Sequence, residues 1–177
     1  MKVLLYCTKE KEIWGDGSGN TWWGIAPDED IDLVFELNPT LTRLNGKIVS
    51  LCDCEKVEEV FYDDDCFSHR TNELTPLVLE QKTCLPIRQI DAYLGKDKGY
   101  ALYLSDVQVF DEPKELNEYG LKRAPQNMCY CHDRKGNEYI LISIRPVWLA
   151  KILNGTKTIE IRRKVLKELK SMIKESE

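Results

Sequence analysis

Residues 140–164, ILISIRPVWLAKILNGTKTIEIRRK, read as strand, helix, strand, and the other segments of the chain are arranged around them. Ile140, Ile142 and Ile144 alternate with Leu141, Ser143 and Arg145, which is the period of a half-buried strand. Pro146 suits the first turn of a helix, where a missing N–H costs nothing, and Trp148, Leu149, Ile152 and Leu153 form an apolar stripe behind it. Asn154-Gly155 stops that helix, because a glycine just past a helix end takes the left-handed conformation that closes the last turn. A second strand is expected over residues 157–163. Ile159 and Ile161 face the core, Thr158, Glu160 and Arg162 face the other way, and Lys157 stands at the mouth of the strand.

Ser143-Ile144-Arg145-Pro146, the helix after it, and the string Asn154-Gly155-Thr156-Lys157-Thr158-Ile159-Glu160-Ile161-Arg162 closely resemble the opening motif of the ASCH domain, a PUA-like β-barrel family. Members of that family are associated with RNA or nucleotide binding, and one small branch hydrolyses acetylated cytidine. In the family the motif starts the domain, whereas here it lies near the C-terminus. The pieces that normally follow it resemble stretches that come first in this chain: VLLYCTK at 3–9, GKIVSLC at 46–52, GYAL at 99–102, DEPKEL at 111–116 and APQN at 124–127. The resemblance therefore implies a circular permutation. The usual last strand, near 127–131, would run into the usual first, 139–144, through a turn at 133–137 whose Gly136 suits a short bulged hairpin. The implied fold is α+β, a PUA-like mixed β-barrel with peripheral helices in circularly permuted motif order, of the type found in phage and prophage proteins.

At 177 residues and 20.6 kDa the chain is long enough for one good core, and no Pro/Ser-rich linker divides it. We read residues 1–177 as one domain, with a loop-rich insertion at about 10–44 and a C-terminal helix at about 165–175. The short apolar strand before Lys9-Glu10-Lys11-Glu12 is no signal-peptide core, and no apolar run approaches a membrane helix, so a cytoplasmic protein without a membrane partner is expected. Seven cysteines, an odd number, then read as reduced thiols rather than a disulfide framework. The net charge of −5 is unevenly placed. Between Arg134 and Lys170 ten Lys/Arg face three acids, +7, which leaves −12 elsewhere. Such a chain repels a long duplex and suits a nucleotide, or a short single-stranded RNA segment reaching one pocket. The bland reading of Lys164, Lys167, Lys170 and Lys174 is the solvated face of the last helix.

Along the chain, residues 2–7 read as a buried strand and residues 10–30 as loop, with Trp22 and Trp23 either packed or forming a stacking platform. Residues 31–37 fit a short strand or a helical turn equally. Residues 46–60 read as a long bent strand with Ile48, Ser50, Cys52 and Cys54 on one face, followed by a polar loop from Asp63-Asp64-Asp65 onward. Residues 86–94 read as a helix, 98–104 and 107–110 as two strands, and 113–119 as one or two helical turns. Val165, Leu166, Leu169, Met172 and Ile173 recur at the spacing of a helix that docks on the barrel.

Cys52-x-Cys54 and Cys129-x-Cys131-His132 are weak zinc patterns, since structural zinc favours CxxC knuckles, and small buried thiols explain them as well. His69 and His132, the only histidines, are expected in loops, which leaves a His-based triad without support, and no phosphate-loop or nucleophile-elbow motif is present. No metal or cofactor is expected. The candidate site is a ligand pocket on the core motif: Lys157 and Arg162 or Arg145 for phosphate, Glu160 for an exocyclic amine or for holding the two cations, and Thr158 beside them. The resemblance adds Gln126, Asn127, Thr8, Lys9 and Tyr100 as rim residues. The alternative is a lysine–glutamate–arginine ladder that only closes a barrel end. Two functions follow, a nucleotide or RNA binder, or an amidohydrolase with Lys157 and Glu160 as its catalytic pair. The hydrolase branch carries a second threonine where this chain has Glu160, which favours binding.

Overall fold

Strand β1 (Lys2–Cys7) is buried from Val3 to Cys7, and a strand with no wet face must be covered on both sides and paired along both edges. It runs parallel to β6 (Glu138–Ile144), Val3 opposite Ile140 and Cys7 opposite Ile144, and antiparallel to β2 (Ile48–Asp63). β2 pairs with β4 (Gly99–Lys114), β4 with β7 (Ile159–Arg162), and β6 with β5 (Met128–His132), giving the order β5-β6-β1-β2-β4-β7. The short β3 (Ser68–Arg70) pairs with the far end of β2. The computed structural model describes residues 1–9 and 44–174, the last by its backbone alone; Trp22, Trp23 and residues 31–37 lie outside the described residues.

Of two expectations about topology, the hairpin through Gly136 is met, and a shared barrel for the N-terminal and core-motif strands is met only as a shared sheet. The N-terminal strand and the strand of the core motif belong to one sheet, and the turn through Gly136 joins the neighbours β5 and β6. Gly136 takes φ +87°, and Asp133 Oδ1 accepts from the backbone N–H of Lys135 and Asn137 at 2.9 and 3.0 Å, which closes the turn. The closed barrel is not found. The backbone ladder ends at β5 and β7, because β7 is only four residues long and pairs with β4 alone. Side chains bridge the gap instead: Arg162 Nη1 donates to Asn127 Oδ1 at 3.0 Å, Arg162 Nη2 to the Ser143 carbonyl at 2.7 Å, and Asn127 Nδ2 to the Lys164 carbonyl at 2.8 Å.

Other differences have local causes. Bulges after Ile48 and Leu51 break the alternation of β2, so Ile48 packs with Leu4, Tyr6 and Leu141 while Cys52 and Cys54 join the main core; the four residues do not share a face. The expected strands 98–104 and 107–110 are one strand, kinked where Asp106 takes φ +49°. That strand runs on to Lys114, so only Leu116–Tyr119 is helical, as a 3-10 turn. The expected loop after Asp63 holds β3 and a helix, α1 (Pro76–Thr83), opened by Thr75, whose hydroxyl accepts from Val78 N–H at 3.3 Å. His69 is not in a loop. It is fully buried on β3, its Nδ1 2.5 Å from Asp91 and its Nε2 3.0 Å from the Asp97 carbonyl, and it ties β3 to α2 (Ile87–Leu94).

Helix α3 (Pro146–Leu153) crosses from β6 to β7 with Leu149, Ala150 and Ile152 buried, and Gly155 at φ +85° ends its turn. Helix α4 (Lys167–Lys174) docks through Leu169, with Val165 just before it, on the main core. Helices α1 and α2 cover a second cluster with Val60, Ala101, Ile159 and Ile161. The described structure is thus a seven-stranded mixed sheet with four helices. No helix among the described residues is long and apolar enough to cross a membrane.

β4 and β7 meet where Gly99 lies under Leu94. A Cβ added there would stand 2.6 Å from Leu94 Cδ2 and 3.1 Å from the Arg162 carbonyl, and the carbonyl cannot turn away. We predict that Gly99→Ala lowers stability by about 1–3 kcal/mol, read as a fall in the urea midpoint at unchanged slope. An unchanged midpoint would show that the β4–β7 junction has room to spare.

Candidate functional site

The turn after α3 fixes where Lys157 goes. Asn154 Oδ1 accepts from Thr156 N–H at 3.0 Å, Lys157 N–H donates to the Lys151 carbonyl at 3.0 Å, and Thr158 N–H to the Lys82 carbonyl at 2.9 Å. Held between α3 and α1, the Lys157 side chain points inward. It is not at the mouth of its strand but buried, 2% exposed, because the end of α1 closes over it: Nζ donates to the Thr83 carbonyl at 2.7 Å. That carbonyl is the last of α1, where the helix dipole favours a cation. The second partner is Glu160, with Oε2 3.2 Å from Nζ.

Glu160 binds a second cation through its other oxygen. Arg162 Nε and Nη2 reach Glu160 Oε1 at 3.0 and 2.9 Å, while the rest of the guanidinium engages Asn127 and Ser143. Burial pushes the Glu160 carboxyl upward, but Lys157 and Arg162 outweigh it and hold the group below its ordinary value. For Lys157 the balance is opposite. Burial lowers its pKa more than Glu160 raises it, because the end of α1 closes over the side chain.

Above this trio opens a cleft of about 520 Å³. Helix α2 lines it with Gln89, Ile90 and Tyr93; the start of α3 contributes Arg145 and Trp148; Thr8, Gln126 and Ser143 come from the ends of neighbouring strands. Tyr93 is 40% exposed, and Arg163 steadies it with its guanidinium 4.6 Å from the ring centroid and Nε donating to the Tyr93 carbonyl at 2.6 Å. Lys151 and Lys157 lie 5.1 and 5.7 Å from the centre of the Trp148 ring.

Six of the ten residues named from the sequence thus share one cleft: Arg145, Lys157, Glu160, Arg162, Gln126 and Thr8. Thr158 is exposed outside it, and Asn127 sits behind Arg162 in the seam. The stem of exposed Lys9 covers Gly46. Tyr100 is buried in the core beneath Lys170, whose Nζ lies 5.6 Å from the ring. Gln89, Tyr93 and Trp148 also line the cleft and were not named from the sequence, although Gln89 and Tyr93 stand one helical turn apart on a helix the sequence does show.

No group of three His, Cys, Asp or Glu among the described residues is placed to hold a metal ion. Burial pushes the thiols of Cys52 and Cys131 up to about 12 and that of Cys54 up to about 11, as expected of inert core thiols. The chain matches no protein-family model, and comparison with curated proteins and with solved structures returns no match.

Removing Arg162 leaves Glu160 with one cation and opens the seam. We predict that Arg162→Gln lowers stability by roughly 3–5 kcal/mol in urea unfolding. Because the folded-state pKa of Glu160 is depressed, its contribution is present above the ordinary carboxylate range and is lost as pH falls through the folded-state value. Stability measured from pH 7 downward should therefore fall less steeply in Glu160→Gln than in the parent protein; parallel acid limbs would contradict an ionised, paired Glu160.

Proposed function

We propose that this is an ASCH-type binding protein that holds a nucleotide, or a short single-stranded RNA segment, in the cleft above Lys157 and Glu160. One observation carries the reading: an ion-paired polar floor, an exposed aromatic ring, two glutamine amides and an arginine converge on one opening. A nucleobase offers a face for Tyr93 and hydrogen-bonding edges for Gln89 and Gln126, while its phosphate suits Arg145. The acidic remainder of the chain disfavours a long duplex, which needs an extended basic track.

Binding is favoured over turnover because Lys157 is already held by Thr83 and Glu160, and Glu160 stands where the amidohydrolase branch has its second threonine. Of the cleft hydroxyls, that of Ser143 donates to the Pro125 carbonyl at 2.7 Å. The second reading is a hydrolase acting on acetylated cytidine or another nucleic-acid derivative. Its support is that burial lowers the pKa of Lys157 and so raises the fraction of neutral amine a proton shuttle needs.

Titration with mononucleotides and short labelled single-stranded RNAs should give saturable binding that weakens with added salt, with little affinity for duplex DNA. Tyr93→Ala should cost about 1–3 kcal/mol of that binding. Multiple turnovers of acetylated cytidine that vanish in Glu160→Gln would replace the binding reading with the hydrolase.

A further inference from the structure

The cations at this cleft are not equivalent, and the difference limits what the cleft accepts. Lys157 and Arg162 share Glu160 between them and each also donates to a backbone carbonyl, Thr83 and Ser143 respectively. The trio carries a net +1, and most of its donors are engaged within the protein. Arg145 is different. It caps α3 by its backbone alone, its side chain is exposed on the cleft, and its guanidinium makes no hydrogen bond or ion pair among the described residues. Arg163 is held by the Tyr93 ring and carbonyl and is not among the lining residues of the cleft.

We infer that the cleft is matched to a nucleoside monophosphate, with the Arg145 guanidinium taking the phosphate and setting the preference for one phosphate group over several. The inference rests on the nucleotide reading above and narrows it to one ligand class. A phosphomonoester carries about −1.5 to −2 near neutral pH, which the free guanidinium and the +1 trio balance; a triphosphate carries roughly twice that and meets no further free cation lining the cleft among the described residues. The volume of about 520 Å³ is that of a single-ligand pocket, within the usual range of roughly 300–1,000 Å³. The chain as a whole carries −5, so its net charge gives no long-range attraction to added phosphates.

The test is calorimetric titration of the full chain with the four 5′-nucleoside monophosphates, their parent nucleosides and their triphosphates, in parent, Arg145→Gln and Arg145→Lys proteins. In the parent one monophosphate should bind about 10- to 100-fold tighter than its nucleoside, the worth of a charge-assisted contact, and no weaker than its triphosphate. In Arg145→Gln that advantage should collapse while nucleoside affinity stays, and Arg145→Lys should restore part of it. Nucleoside affinity in the variants reports that the cleft is intact. A triphosphate binding tenfold tighter than the monophosphate would overturn the inference and leave the nucleotide reading standing. Equal loss of nucleoside and monophosphate affinity in Arg145→Gln would overturn the role of Arg145. No saturable binding of any nucleotide or nucleoside would overturn the reading itself.

Discussion

Glu160 holds a cation on each carboxylate oxygen inside the protein, and that double ion pair is where the separate parts of the structure meet. Through Lys157 it reaches the end of α1, and through Arg162 it reaches Asn127 and Ser143 on the opposite side of the sheet. A buried carboxylate is costly to desolvate, and it stays ionised here because two cations converge on it. The sheet needs that convergence. β5 and β7 share no backbone ladder, so the Arg162 and Asn127 side chains supply the hydrogen bonds that a closed barrel would draw from its main chain.

The same network divides the cleft into a fixed floor and an open mouth. Residues that hold the fold cannot also reorganise around each ligand without exposing a charge, so Lys157 and Arg162 are suited to shape the floor and bias its potential. In the proposed reading, recognition falls to groups at the opening, chiefly Arg145, Gln126 and Tyr93. This division favours binding over chemistry, because a lysine already engaged by a carbonyl and a carboxylate must break one of those bonds to move a proton.

The β6–α3–β7 unit was legible from the chain because every signal it carries is local: alternation in β6, Pro146 opening the helix, Gly155 closing it. That Arg145, Glu160 and Arg162 belong together at one cleft was legible for the same reason. What the sequence hid was non-local. Helix α1 shows no clean apolar stripe, since Leu77 is exposed while Leu79, two positions on, is buried. Without α1 in view, the carbonyl of Thr83, 74 residues from Lys157, could not be named as the partner that draws the lysine inward. The bulges of β2 were equally invisible, because an extra residue in a ladder is set by the partner strand rather than by composition. The seam is the third case: alternation points to the strand observed over residues 159–162, but not to its guanidinium replacing a row of backbone bonds.

Amide-resolved NMR of the protein titrated with an equimolar mixture of the four 5′-nucleoside monophosphates tests most directly whether this cleft is a nucleotide site. Saturable shift changes concentrated at Thr8, Gln126, Arg145 and the Gln89–Tyr93 face of α2, with the amides of α4 unmoved, are the predicted result. Saturable changes confined to the exposed lysines of α4, or no saturable change at all, would contradict it.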